Sequence, residues 1–499
     1  MPVIYKQGNL LRIRNVQGRL RTLLREALTY NRKTFLATRA QQLAAGSAFE
    51  VNTIHCFAEM AVDGEPQMQT NVGYLPRITK MLADNKIEVE IRDLAPSKRV
   101  NAFEPVWDNA KGFDWRHRQK ETLECILAHE RGQIWWATGA GKSWLMVPLC
   151  LVLPKARIVI CTKHLSVLGD HYDRLRKHLP SVGIINGTTK EYGERVTCVS
   201  AGSLHKMDPT LIDVFIADEH HELATDVMFE KFSKIQSAHM FGLSANFNDR
   251  ADGADFELEG VFGPLITKLT YDEGVTNDMI VPIEVHWRNV PTTGNPAQGK
   301  EGMWRKKYGI WQHKARNKQI AADAKLFTDE QVLITVETLE HACHLKKYLP
   351  EFTLCYAASD VHVGKLRDYA DRGLISHDEP TMTAQRLFDL KRKFEQGELR
   401  KVIATTVWNR GVNFHELQVL IRADASSSSI ADTQIPGRLA RRFEGKNNGV
   451  LIDYLDEFDE SLKRKSGSRK ADYKKKGWKQ ILPYQEVSGV FKEVEAAKC

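Results

Sequence analysis

The sequence predicts an α/β fold with two parallel-sheet lobes in tandem, on the basis of two observations. Short runs of β-branched and other apolar residues alternate with helix-like segments between about residues 106 and 288. A second series of the same kind follows a polar Thr/Gly/Pro stretch at 291–299. Since strands that alternate with helices are typical of parallel sheets covered on both faces, each series indicates one lobe.

The individual strands can be placed from these runs. In the first lobe we expect them at 134–137, 157–161, 196–200, 214–217 and 240–243. In the second lobe we expect them at 332–336, 353–356, 402–405, 419–422 and 450–453. The polar segment 359–383 is expected to form an inserted loop or a short helical hairpin.

Four domains follow from this pattern, and 499 residues are enough to hold them. We expect a small N-terminal accessory domain at 1–105, a first lobe at 106–290, a second lobe at 291–455 and a basic C-terminal tail at 456–499.

Both ends of the chain are cationic, although the net charge of +8 is modest for this length. Residues 1–40 hold nine Lys or Arg and one acid, Glu26; residues 463–479 hold nine basic residues and one acid, Asp472. Such runs are commonly a solvated face, but two of them around an α/β core favour contact with phosphates. For the N-terminal block, recognition of DNA and a packing or solubility role both remain open.

Several classes of protein are disfavoured. The eight cysteines are scattered, with no pair at the spacing of zinc or redox sites, so we expect a reduced protein without a zinc site. The first residues lack the apolar core of a signal peptide, and the longest apolar run, 146–153, is too short to span a membrane. We therefore expect a cytoplasmic protein with no membrane contact.

A phosphate-binding loop is predicted at 137–143, which reads ATGAGKS between a strand-like run and an apolar helix at 144–153. Lys142 should reach the β- and γ-phosphates of ATP, and Ser143 should be a ligand of Mg²⁺. The general pattern has glycine where this chain has Trp136. The small residues of the loop should let backbone N–H groups wrap the phosphates, at Thr138, Gly139, Ala140 and Gly141.

Two carboxylates follow the apolar run 214–217. Asp218 and Glu219 would lie at the carboxyl edge of the sheet, where open α/β sheets bind ligands. Asp218 is expected to hold Mg²⁺ through water, and Glu219 to orient and deprotonate the attacking water. The alternative is an ordinary acidic turn after a strand.

A basic segment of the second lobe, 434–442, reads QIPGRLARR. Arg438 and Arg441 are three residues apart, so on a helix they would share one face and point at one γ-phosphate. A guanidinium fork clamps phosphate oxygens and neutralises the charge of the transition state. Taken alone, such a segment is mostly a solvated basic helix.

These segments, in this order, resemble the superfamily 2 helicases from about residue 110 to 455. The resemblance implies two RecA-like lobes and a nucleic-acid-dependent ATPase that uses ATP and Mg²⁺. It implies that Gln119 and Arg116 contact adenine, and that Gln434 acts with the two arginines in catalysis. It also implies that His221, Ser244 and Asn246 couple hydrolysis to lobe movement, with Asn246 in place of the usual Thr.

Further segments fit the same family. Segments around 162–165 and 200–204 resemble its nucleic-acid-contacting elements, which implies DNA contacts by Thr162, Lys163 and Ser203. Segments 404–406 and 410–413 resemble the element that links nucleic acid to the γ-phosphate. This implies DNA contacts by Thr405 and Thr406, and nucleotide contacts by Gly411 and Asn413.

The branch of the family is indicated by weaker features. His221 and Gln434 stand where DNA-directed Asp-Glu-x-His members have these residues. The size, the basic N-terminal block and the tail residues Arg469, Tyr473 and Trp478 are similar to phage recombination helicases of the UvsW kind. That similarity implies remodelling of branched or forked DNA by fork regression or branch migration, in the host cytoplasm if the protein is phage-encoded.

Two alternatives stay open: an RNA helicase, or a motor subunit that serves a nuclease partner. The segment 304–308 could stack bases, but an exposed amphipathic helix explains it equally well.

Overall fold

The computed structural model describes residues 1–35, 49–62, 64–94, 102–235, 239–245, 252–292, 294–357, 364–408, 414, 416–427 and 435–483. The chain forms two compact units, one of residues 1–137 with 141–269 and one of residues 138–140 with 270–499. No helix in these described ranges has both the length and the apolar character needed to cross a membrane.

The first unit begins with a small domain on a five-stranded sheet of order β5-β6-β2-β1-β7 and a separate hairpin, β3-β4. Alternation in β2 (Leu10–Arg14) places Leu11 and Ile13 in the core, whereas Arg12 and Arg14 are half-buried on the other face. Its elements are β1 Val3–Gln7, β2 Leu10–Arg14, α1 Gly18–Ala27, β3 Thr29–Phe35, β4 Phe49–His55, β5 Phe57–Val62, β6 Glu65–Asn71, α2 Leu75–Asp84 and β7 Glu90–Asp93.

This small domain packs closely on the rest of the first unit. The buried Asn9 side chain donates to the carbonyl of Phe232 at 2.9 Å, and Tyr74 Oη donates to the carbonyl of Phe256 at 2.8 Å. A Cβ added at Gly73 would lie 2.2 Å from the Glu259 carbonyl oxygen, so only glycine permits this approach. Side chains of the N-terminal domain are thus hydrogen-bonded to backbone carbonyls of the first lobe.

The cationic N-terminus is partly neutralised by acids distant in sequence. Lys6 pairs with Asp93 and Glu130, and Arg21 pairs with Glu59. The local excess of basic residues therefore overstates the positive charge of this surface.

The first lobe is an eight-stranded sheet of order β11-β10-β12-β9-β13-β14-β8-β15, parallel except for β11. Its central strands β9, β12 and β13 are buried along their whole length, as a sheet covered on both faces requires. The elements are α3 Gln119–Leu127, β8 Arg131–Trp136, α4 Met146–Val152, β9 Ile158–Thr162, α5 Leu165–Arg176, β10 Val182–Ile185, β11 Lys190–Glu191, β12 Val196–Ser200, β13 Val214–Asp218, α6 Asp226–Ser233, β14 His239–Ser244, α7 Asp255–Phe262 and β15 Leu265–Leu269.

The second unit is built on a seven-stranded parallel sheet of order β18-β19-β17-β20-β21-β16-β22. The prediction of two parallel-sheet α/β lobes is confirmed. Its elements are α8 Tyr271–Thr276, β16 Ile283–Asn289, α9 Gly302–Lys306, α10 Lys314–Lys325, β17 Val332–Thr335, α11 Leu339–Lys346, β18 Thr353–Cys355, α12 Lys365–Asp371, α13 Ala384–Glu395, β19 Lys401–Ala404, β20 Val419–Arg422, β21 Gly449–Leu455, α14 Glu460–Lys475 and β22 Lys479–Ile481.

Two predicted boundaries are corrected by this sheet. Strand β16 lies before the boundary placed at residue 290, yet it pairs along its whole length with β21 of the second sheet. The segment predicted as a separate basic tail from 456 contributes α14 and β22, and β22 extends the sheet beyond β16. Membership of a sheet is decided by pairing between distant segments, which local residue patterns do not reveal.

Helix α14 is fixed to the sheet by buried charges as well as by apolar packing. Asp459 caps it by accepting from the backbone N–H groups of Ser461 and Leu462. Arg469 is fully buried and donates to both carboxylate oxygens of Asp453 at 2.9 Å. One face of the predicted basic tail therefore belongs to the core.

Candidate functional site

The loop at 137–143 follows β8 and turns sharply at two glycines. Gly139 and Gly141 have φ angles of 87° and 90°, a region that side chains with a Cβ rarely adopt. The chain then forms a 3₁₀ turn, Lys142–Leu145, before α4 begins at Met146. The helix predicted over 144–153 is therefore shorter and starts with a tighter turn.

A chain of polar contacts leads from this loop across the first sheet. The Lys142 ammonium group donates to Glu219 Oε1, and the other oxygen of Glu219 lies 3.4 Å from His221 Nδ1. The same nitrogen is hydrogen-bonded to Ser244 Oγ at 2.7 Å. Four residues predicted from three segments are thus connected: Lys142 of the loop, Glu219 and His221 after β13, and Ser244 at the end of β14.

Glu219 stands in an unusual backbone conformation. Its φ angle of 49° lies in the left-handed region, which a non-glycine residue occupies at a cost of about 1–3 kcal/mol. This turn directly after β13 aims the carboxylate at Lys142. Backbone strain of this kind concentrates at functional sites, in agreement with the predicted role of Glu219.

Asp218, at the end of β13, is buried and held in its ionised form. His171 Nε2 is 2.8 Å from Asp218 Oδ2, and the Glu219 backbone N–H donates to Oδ1 at 3.1 Å. Burial opposes the charged form, but the hydrogen bond and charge of His171 and the charge of Lys142 hold the pKa of Asp218 down at about 2.

The predicted magnesium ligands can be tested against this donor set. Asp218 and Ser143 offer carboxylate and hydroxyl oxygens, the hard donors that Mg²⁺ prefers. Because both oxygens of Asp218 already accept protein hydrogen bonds, the residue fits a magnesium ion held through water molecules. The residues present therefore fit the ion in the way the sequence predicted.

Arg116 and Gln119 lie against the phosphate-binding loop. Gln119 is buried, accepts from the Arg116 backbone N–H at 3.0 Å and approaches the Gly141 carbonyl at 3.5 Å. A Cβ at Gly141 would lie 3.4 Å from the Arg116 guanidinium. Both residues lie beside the loop, and their contact with adenine stays a prediction.

Two residues of this site were missed by sequence reasoning. His171 and Arg174 lie three apart on α5, which places them on one face of the helix. The Arg174 guanidinium donates to the Ser143 carbonyl at 3.3 Å and lies 3.5 Å from His171 Nδ1. The only signal in the sequence was their helical spacing, which many surface pairs share.

The predicted DNA-contacting residues divide into two groups. Lys163 and Thr406 are exposed. Thr162, Ser203 and Thr405 are buried, with at most 5% of their surface accessible, and their contact with DNA stays a prediction. The strand ends themselves lie where they were predicted.

The predicted arginine pair does not lie on one helix. A 3₁₀ turn covers Pro436–Ala440, and Arg441 follows it in an extended conformation. Arg438 is largely buried and donates to the Trp408 carbonyl at 2.9 Å, with its guanidinium 5.4 Å from the Phe414 ring. The prediction that helical spacing aligns Arg438 and Arg441 is therefore wrong.

Four further predicted site residues lie outside the described residues. They are Asn246, Gly411, Asn413 and Gln434.

Family comparisons agree with these segments. The family described as "Type III restriction enzyme, res subunit" matches residues 112–249, and "Helicase conserved C-terminal domain" matches residues 318–443. The two matches together make up more than half of the chain and contain the loop, the carboxylates and both arginines.

Three relatives come from viruses and an archaeon. A protein of the Sulfolobus islandicus filamentous virus described as a helicase is 22% identical, over 71% of this chain and 66% of its own length. A protein of Escherichia phage T5 described as helicase D10 is 24% identical, over 72% of this chain and 74% of its own length. The DNA 3'-5' translocase XPB2 of Sulfurisphaera tokodaii is 22% identical, over 69% of this chain and 82% of its own length.

Solved structures support the fold. Dbp5 of S. cerevisiae bound to RNA and ADP BeF3 matches with a TM-score of 0.53 and 15% identity, over 80% of this chain and all of that one. A fragment of the HsdR subunit of a type I restriction enzyme from Vibrio vulnificus matches with a TM-score of 0.51 and 16% identity, over 89% of this chain and 81% of that fragment. T4 UvsW covers 96% of this chain and 98% of its own with 15% identity, but its TM-score of 0.37 is too low to support a conclusion.

The matched segments, the two parallel-sheet lobes and the site at the end of β13 point to one family. The chain belongs to the superfamily 2 helicases, and it is a nucleic-acid-dependent ATPase.

Proposed function

We propose that this chain is an ATP-driven DNA translocase that remodels branched or forked DNA. The observation that carries the proposal is the line of contacts from Lys142 through Glu219 and His221 to Ser244. It connects the phosphate-binding loop to the end of β14, one of the segments the family uses to link hydrolysis to movement.

The hydrolytic chemistry would be divided among four residues of the first unit. Lys142 would leave Glu219 to bind the β- and γ-phosphates, which frees the carboxylate to orient and deprotonate the attacking water. Ser143 and Asp218 would hold Mg²⁺, which neutralises phosphate charge when bound. The buried, ionised state of Asp218 supports its part.

The release of Glu219 offers a physical route for coupling. When Lys142 turns to phosphate, the pairing of Glu219 with His221 changes, and His221 holds Ser244 by a hydrogen bond in a buried setting. A buried hydrogen bond is costly to break. A change in the position of Glu219 should therefore move His221 and, with it, Ser244. Asn246, two residues on, would continue this path.

Arg438 and Arg441 belong to the proposal as the residues that neutralise transition-state charge on the γ-phosphate. An arginine finger contributes roughly 10³–10⁵ in rate in related reactions. Their place within the helicase C-terminal match supports this role.

DNA is the favoured nucleic acid for two reasons. Asp218, Glu219 and His221 give the Asp-Glu-x-His pattern, and one relative is described as a DNA translocase. The basic helix α1 of the N-terminal domain, which exposes Arg19 and Arg25, is the proposed element that distinguishes branched from linear DNA.

A second candidate is a motor subunit that serves a nuclease partner. It is favoured by the match to the res subunit family and by the likeness of fold to a restriction-enzyme HsdR fragment. Under this alternative the ATP chemistry is the same, and cleavage would depend on another polypeptide.

The proposal is tested by measuring ATP hydrolysis with single-stranded DNA, forked DNA, a four-way junction and RNA as activators. We expect forked and junction DNA to stimulate most, with stimulation that falls steeply as salt rises, because phosphate contacts release counterions. The double variant Arg19→Ala/Arg25→Ala should lose the preference for branched DNA while single-stranded DNA still stimulates. Stimulation by RNA alone would contradict the proposal.

A further inference from the structure

Two aromatic side chains of the second unit, one exposed and one half-buried, form a stack at the surface that the proposed ATP chemistry does not use. Trp304 on α9 and Tyr308 just beyond it have ring centroids 6.1 Å apart and planes inclined by 17°. Trp304 is 58% exposed and its neighbour Met303 is 73% exposed. A large indole held parallel to a phenol at the surface offers a flat face to a planar ligand.

Cations border the two rings. A groove of about 440 Å³ is lined by Gly299, Lys300, Glu301, Trp304 and Tyr308. The Lys300 ammonium group lies 5.5 Å from the Tyr308 ring centroid, and that of Lys307 lies 5.4 Å from the Trp304 centroid. Aromatic faces beside lysines are the combination that binds bases and phosphates of single strands.

The stack is held on a rigid base at the carboxyl edge of the second sheet. Lys306 donates to Glu337, two residues beyond the end of β17, and Lys307 lies 3.5 Å from Glu340. Arg305 lies 3.7 Å from Asp459, which caps α14. Open parallel sheets bind ligands at this edge.

The backbone at this point is also unusual. Residues Lys307–Trp311 form a π-helical turn, a feature that is frequent at functional sites. Ile310 and Trp311 from this turn pack with Leu462 of α14 in one apolar cluster. The stack and the first turn of α14 are therefore parts of one rigid element.

Helix α14 continues the surface with positive charge. Lys463 and Arg464 in its first turns and Lys474 in its last are exposed, with the small residues Gly467, Ser468 and Ala471 exposed between them. The basic positions 464 and 475 are separated by about 16 Å along the helix axis, at 1.5 Å per residue. Such a face can follow several phosphates of one strand.

We propose that Trp304 and Tyr308 are a base-stacking platform for single-stranded nucleic acid, with the exposed face of α14 as the track for its phosphates. This inference rests on the proposed function, since it supplies a grip for the strand on which the motor acts. Lys300 and the exposed cations of α14 favour a polyanion as the occupant over an apolar protein segment, whereas Glu340 offsets the charge of Lys307.

The test compares binding of single-stranded oligonucleotides by the full chain and by four variants, using fluorescence anisotropy at fixed salt. Trp304→Ala should weaken binding of an oligo(dT) by about tenfold, within the range that loss of one base–aromatic stack gives. Trp304→Phe should retain most of the affinity, because a ring remains. Phe388→Ala removes another exposed aromatic, 61% accessible on α13, and should bind as the wild type.

An oligonucleotide with several consecutive abasic sites separates stacking from charge. The wild type should bind this abasic oligonucleotide more weakly than oligo(dT), and Trp304→Ala should bind it with the same affinity as the wild type. Lys463→Ala/Arg464→Ala should weaken binding of both the abasic oligonucleotide and oligo(dT). An oligo(U) arm shows whether the platform accepts RNA as well as DNA. Thermal melting of each variant checks that it is folded.

The outcomes distinguish this inference from the proposed function. If wild-type protein binds oligo(dT) and DNA stimulates its ATPase, but Trp304→Ala binds oligo(dT) equally well, the platform is refuted and the motor stands. The surface would then suit a protein partner. If the wild type neither binds nor responds to any nucleic acid, the proposed function itself fails.

Discussion

Replacing Arg469 with Leu should destabilise the second unit strongly, because it removes one partner of a fully buried ion pair. Arg469 makes two 2.9 Å hydrogen bonds to Asp453 and a third to the Tyr454 carbonyl at 3.0 Å. Loss of one partner from such a pair costs about 3–5 kcal/mol, mainly because the remaining charge is left buried. In this variant the Asp453 carboxylate would keep only Tyr473 and backbone contacts, beside Arg422.

The expected size of the effect on melting follows from that free energy. For a unit of about 150–250 residues, 1 kcal/mol corresponds to about 2–4 °C, so Arg469→Leu should lower the melting temperature of the second unit by about 6–20 °C. Arg464→Leu is the matched control, since Arg464 lies exposed on the same helix. Its effect should stay within about 0.5 kcal/mol.

The pH dependence gives a second check. Burial opposes ionisation of Asp453, but Arg469 and Arg422 hold its pKa below the ordinary value of 3.8. The pair therefore stabilises the wild type above pH 3.8, and this contribution is lost as pH falls through the folded-state pKa. In Arg469→Leu the pKa of Asp453 is raised, because its buried carboxylate has lost this cation. The difference in free energy of unfolding between variant and wild type should therefore shrink as the pH falls.

Differential scanning calorimetry of both variants provides the measurement. A shift below about 2 °C for Arg469→Leu, or one equal to that of Arg464→Leu, would refute the conclusion that α14 belongs to the core of the second unit.

Three other predictions concern the first unit. Gly242→Ala would place a Cβ 2.7 Å from the His220 ring and should cost about 1–3 kcal/mol, seen as a lower melting temperature; an unchanged melting temperature would contradict this packing. Ser244→Ala removes the hydrogen bond to His221 and should reduce DNA stimulation of the ATPase more than ATP binding, measured by activation curves and nucleotide titration; equal losses would argue against coupling. Asn9→Ala should loosen the N-terminal domain by about 1–3 kcal/mol, so limited proteolysis should release residues 1–94 faster than from the wild type.

Local sequence patterns were sufficient to place ten strands of the two lobes and the phosphate-binding loop. The apolar runs that became β9, β12 and β13 are buried on both faces, so their composition alone distinguishes them from surface segments. The loop before Lys142 and the acids after β13 are likewise short, contiguous patterns. These features could be predicted because each depends only on residues that are adjacent in the sequence.

Features that depend on distant pairing were not. Strand β16 and the edge strand β22 join the second sheet through partners more than 160 residues away, so the boundaries at 290 and 456 were misplaced. His171 was missed because its partner, Asp218, is set by tertiary packing. Arg441 was assigned a helical position because nothing in the segment marked the end of the turn at Ala440.

The surface charge of the N-terminal domain also depends on residues that are distant in the sequence. The basic residues of the N-terminus were counted within a window, but Glu130 and Asp226, outside that window, pair with Lys6 and Arg32. A count along the sequence therefore cannot give the charge of a folded surface.

The most direct test of the central claim is DNA-stimulated ATP hydrolysis by Glu219→Gln and Lys142→Ala, measured beside DNA binding by the same proteins. Glu219→Gln should keep nucleotide and DNA binding and lose turnover, since an amide cannot deprotonate the attacking water. Lys142→Ala should lose turnover through weakened phosphate binding. Wild-type turnover in either variant, with DNA binding intact, would contradict the assignment of this site as the motor.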